Sequence, residues 1–340
     1  MRQKYDAIII GAGPAGIFTA LELTKKNKDL NILIVDKGRT IEKRVCPART
    51  TGKCANCKPC SIINGWAGAG AFSDGKLSQS TEVGGRITDY IPKDEAQGLI
   101  NYADSIYLEF GAPSEVHGLN NRRVEDIMYE ASKYNIQLIP CPVRHLGTEL
   151  SYEVLKKMYI YLINDTNMEF MELTSAKTII VEDGAARGVV LENAKGDHFD
   201  VYADYIVVAP GRGGAEWLTG EAKRLGIKTE NNAVDIGVRV EVPNSIMDHL
   251  TKDLYEAKLV YFSDTFENKV RSFCMNPSGF VSEEHYDGEI AVVNGHSYAN
   301  GGPKSANTNF ALLVSTRFTE PFNQPIEYGK YIAKLGNMLT

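Results

Sequence analysis

Long apolar runs are missing from this 340-residue chain, and no stretch approaches the length of a membrane span. Positive charge is not in surplus either. The chain has 37 Lys and Arg against 43 Asp and Glu, a net charge of -6, so no nucleic-acid partner is expected. Met1 is followed within a few residues by an apolar run, which leaves no room for a signal peptide. These absences predict a cytoplasmic chain with reduced thiols and no membrane partner.

Several catalytic patterns are also absent, among them a Ser-His-Asp order, a Walker loop and a paired-carboxylate site. Glycine, in contrast, is plentiful, with 31 residues, and its first cluster lies near the start. An isoleucine-rich run at 5–10 predicts a buried strand, and the sequence G-A-G-P-A-G follows at 11–16. A helical pattern covers 17–26, and a second apolar strand at 31–35 ends before Asp36.

Each part of this opening unit has a mechanical reason. Gly11 allows a tight strand-to-helix turn, Gly13 lets the backbone approach a pyrophosphate, and Gly16 lets the helix pack closely on the strand. The amino end of the helix offers free N–H groups to phosphates. Asp36, about twenty residues beyond the last glycine, is placed to accept hydrogen bonds from ribose hydroxyls. The sequence therefore predicts a dinucleotide-binding βαβ unit.

A second glycine-rich segment covers 65–77 and also contains Trp66 and Phe72. Small residues at this density let the backbone lie against a planar or phosphorylated ligand, and the two aromatic residues argue against a solvated linker. Later segments complete a sheet. They are a helical pattern, a short strand, a hairpin around Asp183-Gly184, and a final buried strand that ends in P-G-R-G-G, at 151–162, 168–171, 178–191 and 205–214.

This order is typical of FAD enzymes of the glutathione-reductase type. It predicts an α/β fold: a Rossmann-like three-layer FAD-binding domain, with a parallel sheet and a β-meander, beside a second α/β substrate region. The expected FAD-binding domain is discontinuous, from about 1–80 and 147–225. A helical insertion would cover 81–146, and a substrate or cap region would cover 226–340.

Seven sequence segments resemble a bacterial family of uncharacterised FAD-dependent dehydrogenases, or NAD(P)/FAD-dependent oxidoreductases. The first is G-A-G-P-A-G-I-F near the start. The others are G-A-G-A-F-S-D-G-K-L, Y-L-E-F-G-A-P, R-H-L-G-T, A-D-Y-I-V-V-A-P-G-R, D-I-G-V-R-V-E and V-N-G-H-S-Y, which span nearly the whole chain. The resemblance implies FAD held by the first glycine turn, Asp36, the second glycine loop and the strand around Ala176. It names no substrate.

The residues expected to contact the cofactor come from these segments and their neighbours. They are Gly11, Ala12, Gly13, Pro14, Ala15, Gly16, Asp36, Lys37, Arg44, Gly68, Gly70, Ser73, Asp74, Lys76, Ala176, Pro210, Gly211 and Arg212.

The sequence departs from this architecture in one respect. Such flavoproteins usually have a late apolar strand that ends in Gly-Asp, whereas Gly196-Asp197 here has the composition of a turn. The chain also ends at Thr340, inside an amphipathic helical pattern that begins at Ile326. We therefore expect a chain that is truncated relative to its family, with an incomplete C-terminal region, and that holds FAD weakly or not at all by itself.

Four cysteines, Cys46, Cys54, Cys57 and Cys60, lie in one window with the spacing C-x7-C-x2-C-x2-C. In a reducing compartment this density favours metal or redox roles over disulfides. The C-x2-C-x2-C part suits an iron–sulfur cluster, although Cys46-Pro47 comes first rather than last. A four-thiolate zinc site and unligated, redox-active thiols remain alternatives.

Candidate catalytic groups are Arg144, His145 and His296, since a histidine beside a flavin can exchange protons. The predicted function is an FAD-dependent oxidoreductase that acts on an unknown small molecule, with NAD(P)H as a reductant and a redox partner protein as further expectations. The alternatives are an NAD(P)-only dehydrogenase, a flavin/iron–sulfur electron-transfer subunit and a flavin-dependent tRNA-modifying protein, which the low positive charge disfavours.

Overall fold

The structure is a computed structural model that describes residues 4–286, 290–299, 301–319, 321 and 323–339. The strands in chain order are β1 (Lys4–Ile10), β2 (Ile32–Val35), β3 (Lys76–Ser78), β4 (Ile136–Ile139), β5 (Val143–His145), β6 (Met168–Met171), β7 (Ser175–Glu182), β8 (Ala185–Glu192), β9 (His198–Val208), β10 (Val234–Pro243), β11 (Lys258–Phe262), β12 (Lys269–Asn276), β13 (Phe280–Tyr286), β14 (Ile290–His296) and β15 (Asn307–Thr316). The helices are α1 (Pro14–Lys26), α2 (Ala48–Thr51), α3 (Lys93–Glu109), α4 (Asn121–Ser132), α5 (Gly147–Asp165), α6 (Ala215–Arg224), α7 (Asn244–Leu254) and α8 (Pro325–Asn337).

The chain forms two compact units, each built from separate stretches of sequence. The first unit comprises Met1–Ala71, Leu155–Glu230 and His285–Glu289, and the second comprises Phe72–Val154, Asn231–Glu284 and Ile290–Thr340. The helix predicted from Ile326 onward is α8, and Thr340 lies outside the described residues.

The first unit contains a six-stranded sheet in the order β6-β2-β1-β9-β8-β7. Four neighbouring strands of this sheet, β6, β2, β1 and β9, run parallel. In β1, Ile9 lies opposite Ile34 of β2 on one side and opposite Val207 of β9 on the other. The apolar β1 and β2 are buried, as expected of central strands covered on both faces. The side chains of Ile8, Leu33 and neighbouring apolar residues form a core against β8 and β9.

The antiparallel end of this sheet is the predicted β-meander of β7, β8 and β9. The turn between β7 and β8 contains Asp183 and Gly184, with φ of 50° and 76°, so both central residues adopt the left-handed conformation that a tight hairpin requires. The predicted α/β fold, a parallel sheet continued by a meander, is confirmed.

The second unit contains a five-stranded antiparallel sheet in the order β10-β15-β12-β11-β4. Its apolar core joins α4, α7 and the sheet through residues such as Ile127, Leu138 and Met275. The segment 81–146, predicted to be a helical insertion, contains α3 and α4 but also two strands. One of these, β4, pairs with β11 and so belongs to the sheet of the second unit.

Among the residues that the structure describes, no helix combines the length and the apolar character that a membrane span requires.

Candidate functional site

A cavity of about 570 Å³ lies in the first unit where β1, β2 and β9 end. Because the sheet order places β2 and β9 on opposite sides of β1, the connections leave this edge in two directions and open a crevice between them. The volume is in the range of small-molecule and cofactor sites. The lining residues are Ile10, Gly11, Gly13, Pro14, Val35, Asp36, Lys37, Ile63, Asn64, Gly68, Ala69, Gly70, Thr174, Ser175, Ala176, Lys177, Ala209, Pro210, Gly211, Arg212, Gly213, Gly214 and Trp217.

The glycines of the first turn have the geometry that their predicted roles require. Gly11 has a φ of 103°, and a Cβ there would lie 2.1 Å from the carbonyl oxygen of Ala209. A Cβ at Gly16 would lie 2.0 Å from the carbonyl oxygen of Gly11, so only glycine lets α1 approach β1 so closely. Gly13, in contrast, has no atom within 4 Å of the position its Cβ would take. It therefore leaves open space at the amino end of α1, where a ligand phosphate would meet free N–H groups.

Asp36 lines the cavity, but its carboxylate is already used by the protein backbone. Oδ2 accepts a hydrogen bond from the N–H of Ala12 at 3.0 Å, and Oδ1 accepts from the N–H groups of Gly38 and Gly65, both at 2.8 Å. The predicted ribose acceptor is thus also a bridge between three loops.

Arg44 is among the predicted cofactor residues, yet it is not among the residues that line the cavity. Its buried guanidinium donates to the carbonyl oxygens of Ser61, Ile62 and Trp66. The arginine therefore holds the second glycine loop through its backbone.

Asn64 is a cavity residue that the sequence analysis does not identify. Its Nδ2 donates to the carbonyl oxygen of Cys60 at 3.0 Å, and its Oδ1 would lie 3.2 Å from a Cβ at Gly213. On the other side, Nζ of Lys37 donates to the carbonyl oxygen of Gly213 at 2.8 Å. In the sequence, only the position of Asn64 next to Gly65 could have indicated this role. Trp217 also lines the cavity, and no feature of the sequence indicated it.

The cavity brings together eleven of the eighteen predicted cofactor residues: Gly11, Gly13, Pro14, Asp36, Lys37, Gly68, Gly70, Ala176, Pro210, Gly211 and Arg212. Ala12, Ala15 and Gly16 lie in the same turn but do not line it. Ser73, Asp74 and Lys76 belong to the second unit.

A buried polar network occupies the second unit and is centred on Asp74, whose exposed fraction is 2%. Its Oδ1 lies 2.9 Å from the backbone N–H of Ser297 and 2.9 Å from Nε2 of His145. Its Oδ2 accepts from Tyr255 at 3.1 Å and from Nδ2 of Asn276 at 2.6 Å. Burial opposes ionisation, but a nearby lysine ammonium and hydrogen bonds with His145 and the Ser297 side chain hold the pKa of Asp74 well below its usual range.

Lys76 is that lysine, with its Nζ 3.3 Å from Asp74 and 3.1 Å from Glu256. Glu256 also pairs with Lys258 at 2.6 Å. Burial by itself would raise the pKa of Glu256, but the two ammonium groups have the larger effect. The pKa is therefore lowered, and the carboxylate stays ionised. Asp74, Lys76, Glu256 and Lys258 together carry no net charge. Each of the four forms an ion pair with another member of the set.

Tyr255 enters this network from a strained backbone. Its φ is 59° and its ψ is -57°, and the N–H of Glu256 donates to the carbonyl of Leu254 at 2.6 Å, which closes a three-residue turn of the rare γ type. The phenol ring stacks on His145, with ring centroids 4.0 Å apart. Burial and the charge of Asp74 raise the pKa of Tyr255 well above 10, so the hydroxyl keeps its proton and donates.

The three predicted catalytic residues lie in different surroundings. His145 is buried in the network around Asp74. Arg144 forms a two-pronged ion pair with Asp104, at 2.7 and 2.6 Å, and donates to the carbonyl of Pro113. These contacts occupy its guanidinium and indicate a structural role. Nδ1 of His296 lies 3.2 Å from the hydroxyl of Thr148.

The four cysteines are free thiols on the segment before the second glycine loop. Cys54 is exposed, and Cys46, Cys57 and Cys60 are half-buried. Within the described part of the chain, no group of three or more His, Cys, Asp or Glu side chains is arranged to hold a metal ion. The structure therefore does not bring the four sulfurs to one centre.

The cavity residues fit the adenosine diphosphate half of a dinucleotide such as FAD. Gly13 and Gly211 each leave open space where a Cβ would be, and Lys37 and Arg212 supply positive charge at the cavity lining. Apolar lining from Ile10, Val35 and Trp217 suits a ring system.

Residues 233–335 match the family described as "FAD-dependent protein, C-terminal domain-like". The chain is 27% identical over 322 residues to an uncharacterised protein of Clostridium beijerinckii, an alignment that covers 92% of this chain and 52% of that protein. The chain thus spans about half the length of this curated relative.

Two solved structures are similar at low TM-scores. One is the glycerol-3-phosphate dehydrogenase of Bacillus halodurans complexed with FAD, with a TM-score of 0.45 and 12% identity, covering 98% of this chain and 52% of that one. The other is the glycine oxidase of Bacillus cereus, with a TM-score of 0.43 and 14% identity, covering 95% and 76%. The match over residues 233–335 confirms the resemblance of this chain to the FAD-dependent proteins.

Proposed function

We propose that this chain is the FAD-binding portion of an FAD-dependent oxidoreductase that acts on a small molecule. The observation that carries the proposal is the cavity at the ends of β1, β2 and β9, where two glycine-rich loops leave space beside positive charge. The family match over residues 233–335 supports FAD over NAD(P) as the occupant. Hydride or electron transfer in such an enzyme is chemistry that the flavin supplies.

The residues that would hold the cofactor fall into two groups. The amino end of α1 after Gly13, together with Arg212, would hold the pyrophosphate. Asn64 and Thr174 offer polar groups to the adenosine and its ribose, beside the apolar side chain of Trp217. The protein's task in this scheme is to bind and orient the cofactor and to keep water from its faces.

The substrate side of the proposal rests on the network of the second unit. His145 and Tyr255 carry exchangeable protons, and Asp74 fixes their positions from a buried site. Dense buried polar clusters are costly unless they are fully paired, and they often mark functional sites. NAD(P)H as the reductant and a protein as a redox partner stay predictions.

The substitution Gly13→Val tests the cavity directly. Gly13 has an ordinary φ of -75° and no atom within 4 Å of its Cβ position, so valine enters open space without backbone strain. We expect the Kd for FAD, measured by flavin fluorescence on flavin-free protein, to rise at least about tenfold. The Tm of the flavin-free protein should change by less than about 2 °C.

Gly98→Val is the matched control, because Gly98 lies in α3 and its Cβ position is also open. This variant should bind FAD like the unsubstituted chain. Unchanged FAD affinity in Gly13→Val would contradict the proposal. Binding of NAD⁺ or NADP⁺, with no binding of FAD, would favour the NAD(P)-only alternative.

A second candidate function, that of a flavin/iron–sulfur electron-transfer subunit, is favoured by the cysteine segment alone. Cys60 precedes the second glycine loop, and its carbonyl oxygen accepts from both the backbone N–H and Nδ2 of Asn64, which lines the cavity. Cys60 is therefore linked to the cavity through one residue, although the four sulfurs do not meet at one centre in the described part of the chain.

Anaerobic purification followed by iron, sulfide and zinc analysis tests this second candidate. A bound cluster predicts iron and sulfide in equal amounts and a broad visible absorbance, both lost in Cys57→Ser. Zinc without colour would indicate a structural thiolate site. Metal-free protein with alkylatable thiols would leave only the redox-thiol alternative, and Cys141→Ser, at a buried cysteine outside the segment, is the control.

A further inference from the structure

The carboxylate of Asp36 gathers backbone amides from three separate loops. Ala12 belongs to the first glycine turn, Gly38 follows β2, and Gly65 begins the second glycine loop. With two amides on Oδ1 and one on Oδ2, the carboxylate has the anchoring role that charged acceptors often have for backbone N–H groups. Asp36 therefore holds together the segments that form the cavity.

Arg44 binds backbone carbonyl groups at the start of the second glycine loop and in the segment just before it. Arg44 has an exposed fraction of 4%, and its guanidinium donates to the carbonyls of Ser61 and Ile62 at 2.8 Å each, as well as to that of Trp66. A buried guanidinium is costly to leave unsatisfied, so these carbonyls stabilise it. The segment 61–66 is thus held at both kinds of backbone group: Asp36 accepts from one of its N–H groups, and Arg44 donates to three of its carbonyl oxygens.

The backbones at this junction are in very close contact. A Cβ at Gly38 would lie 2.2 Å from the backbone nitrogen of Gly65, and a Cβ at Gly65 would lie 2.4 Å from the carbonyl oxygen of Arg39. The N–H of Ala67 donates to the carbonyl of Ala12 at 2.7 Å. The second glycine loop is therefore joined to the first by backbone contacts that the Asp36 carboxylate completes.

We propose that Asp36 and Arg44 are positioning residues that assemble the cavity before any cofactor binds. The proposal rests on the proposed function only for the identity of the cavity's occupant. The cavity then exists in its binding-ready form in the cofactor-free chain, and Asp36 acts on a cofactor through the loops that it orders. This role is separate from a hydrogen bond between Asp36 and a ribose.

The experiment uses the full chain stripped of flavin and compares Asp36→Asn and Asp36→Ala with Lys37→Ala. Hydrogen exchange at the amides of Ala12, Gly38 and Gly65 is the main measurement, and the Tm is the second. Either Asp36 substitution should reduce amide protection at these sites at least about tenfold. Asp36→Ala should also lower the Tm by about 4 °C or more.

Lys37→Ala is the control, since Lys37 lines the same cavity but its Nζ donates to the carbonyl of Gly213 rather than to the three loops that Asp36 joins. It should keep wild-type amide protection and a Tm within about 2 °C. If Asp36→Ala does not fold, Asp36→Asn, which keeps the shape of the side chain, still gives the exchange measurement.

Two outcomes separate this proposal from the proposed function. Unchanged amide protection in both Asp36 variants, together with weaker FAD binding, would overturn the positioning role and leave Asp36 a direct ligand. Lost protection in the variants would support the positioning role even if the unsubstituted chain bound no FAD, a result that would contradict only the proposed function.

Discussion

Asp74 combines deep burial with a complete set of donors, and both affect how stability depends on pH. Burial opposes ionisation, but the ammonium of Lys76 and the hydrogen bonds with His145 and the Ser297 side chain favour the charged form, so folding moves the pKa of Asp74 below its usual value of about 3.9. A carboxylate with a depressed folded-state pKa contributes stability that is present above its unfolded pKa. That stability is lost as the pH falls through the folded value.

We therefore expect the free energy of unfolding to fall steeply below about pH 4. Asp74→Asn should be destabilised by about 3 kcal/mol at pH 7, because it leaves Lys76 without one of its buried partners. Its stability should depend less on pH in the acid range, with the remainder due to Glu256, whose pKa is also lowered. Thermal melts followed by circular dichroism between pH 7 and pH 2.5 measure both effects.

Asp204→Asn is the control for this substitution. Asp204 forms an ion pair with Lys4 in which both side chains are largely exposed, so its loss should cost less than about 1 kcal/mol at pH 7. Equal acid sensitivity in Asp74→Asn and the unsubstituted chain would show that the buried carboxylate does not govern the acid transition.

Short-range sequence signals predicted the strands and helices around the cavity well. The glycine turn after β1, the hairpin at Asp183-Gly184 and β6 at Met168–Met171 all have causes within a few residues: steric freedom at glycine, a left-handed turn, and an apolar run. The same reasoning placed eleven expected residues on the cavity, because a β-strand followed by a glycine turn and a helix fixes where its loop lies.

The network of the second unit could not be predicted in this way. Asp74 meets His145 71 positions later in the chain and Ser297 223 positions later. No local periodicity encodes such contacts. Arg144 and Arg44 show the same limit: the sequence suggested a catalytic role for Arg144 and cofactor binding for Arg44, but each uses its guanidinium on partners that only the fold supplies. The strands in 81–146 were missed because β4 is short and amphipathic and is stabilised by its pairing with β11.

Taken as a whole, the molecule separates two kinds of polar chemistry. The first unit presents a cavity lined by two glycine-rich loops and a few side chains, and the second contains a buried network of ionised and neutral polar side chains. Both tryptophans of the chain, Trp66 and Trp217, belong to the first unit. Trp66 is fully buried and donates to the carbonyl of Leu155 at 3.0 Å, so its emission reports on unfolding of that unit.

This distribution allows a test of cofactor binding that needs no substrate. A ligand that binds only the folded state stabilises it by about 2.7 kcal/mol when present at 100 times its Kd. We expect the urea midpoint of the tryptophan emission to rise with the logarithm of FAD concentration. ADP, which carries the adenosine diphosphate group that the cavity fits, should raise it as well, whereas FMN, which lacks the adenosine, should raise it less at equal concentration. If the urea midpoint of the tryptophan emission does not change with FAD but rises with NAD⁺, the cofactor assignment would be reversed. A midpoint that ignores all these ligands would mean that the two glycine loops, as this chain folds them, do not form a dinucleotide site.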